Sequence, residues 1–187
     1  MIKIKNKEID LKEAFQDYVK FGGMPFLHNL DYNFEASMQY LQDLYASIIL
    51  KDITQRNNIR DTDLLERIIN YVVMNIGNTF SATSISKFFK SENRKVATET
   101  ILNYIKACEE AFLVYKVARN DLLGKKILNV NEKYYIADHG IREAIMENNQ
   151  KNINQILENI VYFEMLRRGY NCLLYTSDAA DERSSVD

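Results

Sequence analysis

The sequence predicts a mainly α fold with a small β ribbon. Three observations carry this expectation. Apolar residues recur at three- and four-residue steps along most of the chain, the spacing that lines one face of a helix. One proline and six glycines in 187 residues are too few for a sandwich or barrel with many turns. Between Phe80 and Asp138, two short helical patterns, a polar turn and two β-rich runs follow in the order of a winged helix-turn-helix.

In chain order, Leu11, Phe15, Tyr18 and Val19 mark an amphipathic helix over Leu11 to Phe21. Gly22-Gly23-Met24-Pro25 stops it and reads as a hinge. A long helix is expected over Phe34 to Asn57, with Met38, Leu41, Leu44, Tyr45, Ile48 and Ile49 on one side. Near its end Asp52 and Arg56 are spaced for an i,i+4 ion pair. A third helix over Asp63 to Asn75 carries Leu64, Leu65, Ile68, Ile69, Val72 and Val73 and ends before Gly77.

Ser81 then caps a helix with Ile85, Phe88 and Phe89 on one face, ending near Lys90. The run Ser91 to Lys95 makes the turn. Ile101, Tyr104, Ile105, Cys108 and Phe112 line the next helix, in the position of a recognition helix. Its outward residues are Glu99, Asn103, Lys106 and Glu110. Leu113 to Val117 and Lys133 to Ala137 have strand composition, with a turn at Gly124-Lys125-Lys126. Asp138 is placed to cap a helix bearing Ile141, Ala144 and Ile145, and Asn148 to Asn154 reads as a linker into a last helix.

Composition excludes several classes. Cys108 and Cys172 supply neither a disulfide framework nor a paired metal spacing, and a reducing compartment is expected. No apolar run approaches the ~20 residues that span a bilayer, so no membrane partner is expected. Met1 to Lys5 leads into charge rather than a signal peptide, and the expected location is the cytoplasm. His28 and His139 are too isolated for a metal site or a catalytic base.

The net charge is −2, but Ser81 to Tyr135 holds 10 Lys and Arg against 6 Asp and Glu, whereas Met1 to Arg60 holds 8 of each. This modest basic excess points to DNA as a possible partner. The candidate contacts are Arg94 and Lys95 in the turn, Asn103 and Lys106 on the recognition helix, and Lys125 and Lys126 at the wing tip. Glu99, Glu109 and Glu110 support the other reading, a protein-interaction or subunit-contact module.

Several short motifs also carry a resemblance. They are Gly22-Gly23-Met24-Pro25, Leu44-Tyr45 with Lys51-Asp52-Ile53 and Arg56, Asn75-Ile76-Gly77, Thr100 to Phe112, Lys133 to Asp138 with Gly140, and Leu157-Glu158-Asn159 with Val161-Tyr162 and Gly169-Tyr170. Together they resemble the C-terminal region, domain of unknown function 4143, of bacterial and archaeal P-loop AAA-type ATPases. The resemblance implies four parts: the end of an ATPase region and its hinge over 1–25, a helical and winged-helix domain over 26–138, the start of an incomplete restriction-endonuclease-like domain over 139–171, and a tail over 172–187. It also implies an ATPase domain in cis, with ATP and Mg for a longer parent. In that setting Glu158 or Glu164 could be the leading carboxylate of a nuclease site, while a structural pairing of Glu158 is the simpler reading.

This chain lacks a phosphate loop of the form G-x-x-x-x-G-K-[ST], since Gly124-Lys125 is followed by Lys126 and Arg119 stands where a glycine is needed. No cofactor and no catalysis are therefore expected of it as given. The stretch from Cys172 to Glu182 resembles a translated transposase adapter of sequencing libraries. Native sequence is expected to stop at Asn171, with disorder from Thr176 onward and the apolar face of the last helix partly exposed.

Overall fold

The computed structural model describes residues 2–4, 7–119, 131–146 and 153–174. It is mainly helical with a small three-stranded antiparallel sheet. Strands β1 (Ile2–Ile4) and β2 (Lys7–Ile9) form a hairpin, and helix α1 (Leu11–Phe21) follows. A 3₁₀ segment (Pro25–Leu30) leads into α2 (Phe34–Ser47), which Asn33 caps by accepting from the Ala36 N–H at 3.1 Å.

Helix α2 does not run on as an α-helix to Asn57. Ile48–Gln55 is π-helical, and the Ile59 N–H bonds back to the Thr54 carbonyl at 3.0 Å. The wider turn breaks the i,i+4 alignment, so Asp52 and Arg56, both exposed, do not form the expected ion pair. Helix α3 (Thr62–Met74) buries Leu65, Ile68, Val72 and Val73, the stripe that the apolar spacing predicts.

Strand β3 (Thr79–Phe80) precedes α4 (Ala82–Ser91). Ser81 caps α4 in a reciprocal box with Ser84. Helix α5 (Thr98–Glu110) packs on α3 and α4 and buries Ile101, Ile105 and Cys108. Phe112 departs from expectation: it lies beyond the helix end at φ 56° and is 70% exposed. Strand β4 (Val114–Lys116) is followed by β5 (Ala118–Arg119). Strand β6 (Glu132–Ile136) pairs antiparallel with β4, Val114 opposite Ile136, and with β3, Phe80 opposite Glu132. β6 is thus the central strand, between β3 and β4.

Helix α6 (His139–Met146) packs on α1 and α2, and α7 (Ile153–Arg167) lies against β6 and α6. Strand β7 (Leu173–Leu174) pairs in parallel with β5. Two contacts between distant residues fix these helices. At the first, Asp138 accepts from the backbone N–H groups of Gly23 and Gly140, both at 2.7 Å. The backbones of α1 and α6 approach so closely there that a Cβ on Gly140 would sit 1.9 Å from the Phe21 carbonyl oxygen, and one on Gly22 2.0 Å from the Asp138 carboxylate. The glycine pair read as a hinge is therefore pinned by a carboxylate, and His139 adds a 2.6 Å contact to the Tyr18 carbonyl.

At the second contact, the side-chain amide of Asn159 on α7 meets the backbone of Ile136 in both directions. It accepts from the Ile136 N–H at 2.9 Å and donates to the Ile136 carbonyl at 3.0 Å. The same edge of β6 is covered upstream by the Gly77 N–H on the Tyr134 carbonyl at 3.0 Å and by β3. Asn159 thus continues the ladder where β3 stops.

Candidate nucleic-acid interface

The face of α5 turned away from α3 and α4 carries Glu99, Asn103, Lys106 and Glu110, all exposed, as the helical spacing predicts. Lys106 and Glu110 form a loose i,i+4 ion pair at 3.7 Å. Lys95 is exposed in the turn before α5. Lys125 and Lys126, expected at the wing tip, lie outside the described residues.

Arg94 has a different part from the one expected of it. Its guanidinium donates to Asp63 and, at 2.8 Å, to Asp61, which itself caps α3 through the Leu64 N–H. The α4–α5 turn is thereby clasped to the start of α3. Two carboxylates neutralise the arginine, so it is a poor phosphate contact. The same bonds, first from Arg94 and then from Arg67, hold the Asp63 carboxyl below its usual range. Simple spacing could not have found this clasp, because its partners are 31 and 33 residues apart.

A groove of about 560 Å³ runs beside the same helix face. One wall is the segment from Asn57 to Arg60, which follows the π-helical turns; the other is α5 at Asn103, Lys106 and Glu110. Sequence reasoning missed this wall. Its charge lies some 40 residues from α5 along the chain, and only the fold brings the two together.

The carboxylates considered for a nuclease site have structural partners. Glu158 accepts from the Tyr135 hydroxyl at 2.6 Å and pairs with Lys133 at 2.5 Å, and the Lys133 and Tyr135 bonds hold its carboxyl low against the opposing effect of burial. Glu164, on the last turn of α7, is bonded by Arg167 and by Arg168 just beyond the helix end. Among the described residues, no three His, Cys, Asp or Glu side chains gather as metal ligands. No helix among them is long and apolar enough to cross a membrane.

Fold and surface together define a mainly helical protein with a small antiparallel sheet and, among the described residues, an exposed polar face on α5 flanked by a groove. The chain belongs to the family described as Domain of unknown function (DUF8612), which matches residues 12–152. It is 35% identical over 159 residues to an uncharacterized protein of Haemophilus influenzae, a match covering 85% of this chain and 39% of that protein. It is 26% identical over 164 residues to an uncharacterized protein of Methanocaldococcus jannaschii, covering 88% of this chain and 36% of that one. The chain therefore spans less than two fifths of the length of these relatives. No solved structure matches it.

The family match overturns the resemblance to domain of unknown function 4143 of AAA-type ATPases, because a different domain accounts for residues 12–152. The motifs behind that resemblance are short, and packing within this chain explains several of them. Gly22-Gly23 and Asp138 with Gly140 form the α1–α6 crossing, and Glu158-Asn159 joins α7 to β6. The ATPase domain in cis, the ATP and Mg of a longer parent, and the nuclease-like start at 139 lose the support they drew from it.

Proposed function

We propose that residues 26–138 form a helical and winged-helix module that binds double-stranded DNA through the outward face of α5. One observation carries this reading: the chain order α3, β3, α4, α5, β4, β5, β6, in which β3, β4 and β6 form one sheet with β6 between β3 and β4, while β5 pairs apart with β7. This order supports reading α5 as the recognition helix, and among the described residues its outward row of Glu99, Asn103, Lys106 and Glu110 is exposed. Asn103 offers a donor and an acceptor side by side, the pattern that an adenine edge matches. Lys106 and Lys95 supply phosphate contacts.

The test is fluorescence anisotropy of a labelled duplex at about 50 and about 200 mM salt, where phosphate contacts make affinity fall steeply. Lys106→Ala is expected to weaken binding on every sequence, and Asn103→Ala to relax sequence preference. Binding that does not respond to salt would refute the reading. A second reading, a protein-interaction module, is favoured by Glu99 and Glu110 on the same face and by the neutralisation of Arg94. A protein-contact face predicts no duplex affinity even at low salt.

A further inference from the structure

We infer that the groove between α5 and the segment from Asn57 to Arg60 holds the sugar-phosphate backbone of one DNA strand, with Arg60 as its principal cation. The inference rests on the DNA-binding reading of α5 and extends it to a wall that this reading does not use.

The segment is shaped before any ligand arrives. Its backbone is held by the Asn57 amide on the Ile53 carbonyl at 3.0 Å and by the Ile59 N–H on the Thr54 carbonyl at 3.0 Å. Asn58 sits in the left-handed region at φ 51°, which turns the chain toward α3. The backbone of the wall that faces α5 is thus held by bonds within its own segment. Ala107, Tyr104 and Ile59 are buried or half-buried and form the floor. The exposed residues Asn58 and Arg60 stand on one rim, and Asn103, Lys106 and Glu110 on the other.

The charges around the groove select the ligand. Arg60 forms no ion pair among the described residues, although Asp61 and Asp63 follow it directly in the chain. Those two carboxylates are occupied by Arg94, and Asp63 by Arg67 as well. The clasp thus takes Arg94 off the surface, and Arg94 and Arg67 between them engage the two acids that stand next to Arg60 in the chain. What remains among the lining residues is a cation on each rim, Arg60 and Lys106, and one acid, Glu110, which pairs loosely with Lys106 at 3.7 Å. Each rim also carries an amide donor, Asn58 beside Arg60 and Asn103 beside Lys106. A chain of phosphodiesters, with an anionic oxygen at each step and neutral sugars between, complements two separated cations, each with a neutral donor on its own rim. When α5 lies in the major groove, the strand bordering that groove passes beside the helix, where this wall stands.

The experiment is duplex anisotropy across a salt series with the full chain. Arg60→Ala is expected to lower the slope of log affinity against log salt by about 0.9, one phosphate contact, and the affinity roughly 8-fold at about 0.1 M salt. Arg60→Lys should retain the slope, because the charge is kept. Glu110→Gln should raise affinity, an increase that damage to the fold would not produce. Wild-type slope and affinity in Arg60→Ala, with Lys106→Ala impaired, would overturn this inference and leave the α5 reading intact. Unaltered affinity in Glu110→Gln would count against it too. Absence of duplex binding by the unaltered chain at low salt would overturn both.

Discussion

Replacing Asn159 by alanine tests the claim that a side-chain amide completes the central sheet. Asn159 is 1% exposed and Ile136 is 0% exposed. The variant removes both partners of the Ile136 backbone, whose N–H and C=O are then buried without water. Each unsatisfied buried group costs about 1–3 kcal/mol, so the expected loss is about 2–6 kcal/mol. Against a total stability of about 5–15 kcal/mol for an ordinary domain, that is a large fraction. The assay is urea unfolding followed by circular dichroism, with the midpoint falling and the slope unchanged. Asn159→Asp sharpens the test. The carboxylate can accept from the Ile136 N–H but cannot donate to its carbonyl, so the variant is destabilised at neutral pH and recovers as acid protonates it. Asn154→Ala, exposed on the same helix, is the control. If Asn159→Ala costs less than about 1 kcal/mol, or no more than the control, the amide does not complete the sheet.

Three further outcomes are expected. Gly140→Ala places a methyl against the Phe21 carbonyl oxygen, a backbone atom that cannot rotate away, and should cost at least about 2 kcal/mol in the same assay; wild-type stability would mean that α1 and α6 separate freely. Burial, with Glu132 and Glu110 adding, raises the Glu109 carboxyl above its usual value despite Lys116 and Lys106. The folded chain then binds that proton more tightly than the unfolded one, so Glu109 costs stability as pH rises through its folded value. Glu109→Gln should accordingly be more stable than wild type at neutral pH and not at acid pH, and equal curves at both would refute the assignment. The Cys108 thiol, pushed up to about 12 chiefly by burial, should resist a thiol reagent until the protein unfolds, while half-buried Cys172 reacts in the native state.

Helices with strong local signals were legible from residues alone. The C-terminal bound of α1 was readable because Gly22-Gly23-Met24-Pro25 terminates it locally. The Ser81 cap, the buried stripe of α3 and the outward row of α5 follow from spacing within a few residues. The pairing of β4 with β6 was readable from β-branched and aromatic content on either side of a turn.

What local pattern could not reach was settled by contacts between distant residues. Strand β3 is two residues long, carries no periodicity, and exists because β6 offers it an edge. The change to π-helix after Ser47 leaves the apolar spacing looking α-helical, yet it removes the Asp52–Arg56 pair and shapes the wall that ends at Arg60. Arg94 reads as a free cation in a polar turn until α3 brings Asp61 and Asp63 to it. Short motifs also misdirected the family assignment, because Gly-Gly and Asp-x-Gly describe a close backbone crossing that different folds can share. Apolar spacing and caps act within one or two turns, so the sequence alone determined where most helices lie, the buried stripe of α3 and the outward row of α5, but not the burial of Leu11, Phe15 and Phe88, which the fold leaves exposed. Which charges were cancelled, which strand edge was closed and which glycines met a carboxylate depended on partners up to 115 residues away, and only the tertiary structure decided them.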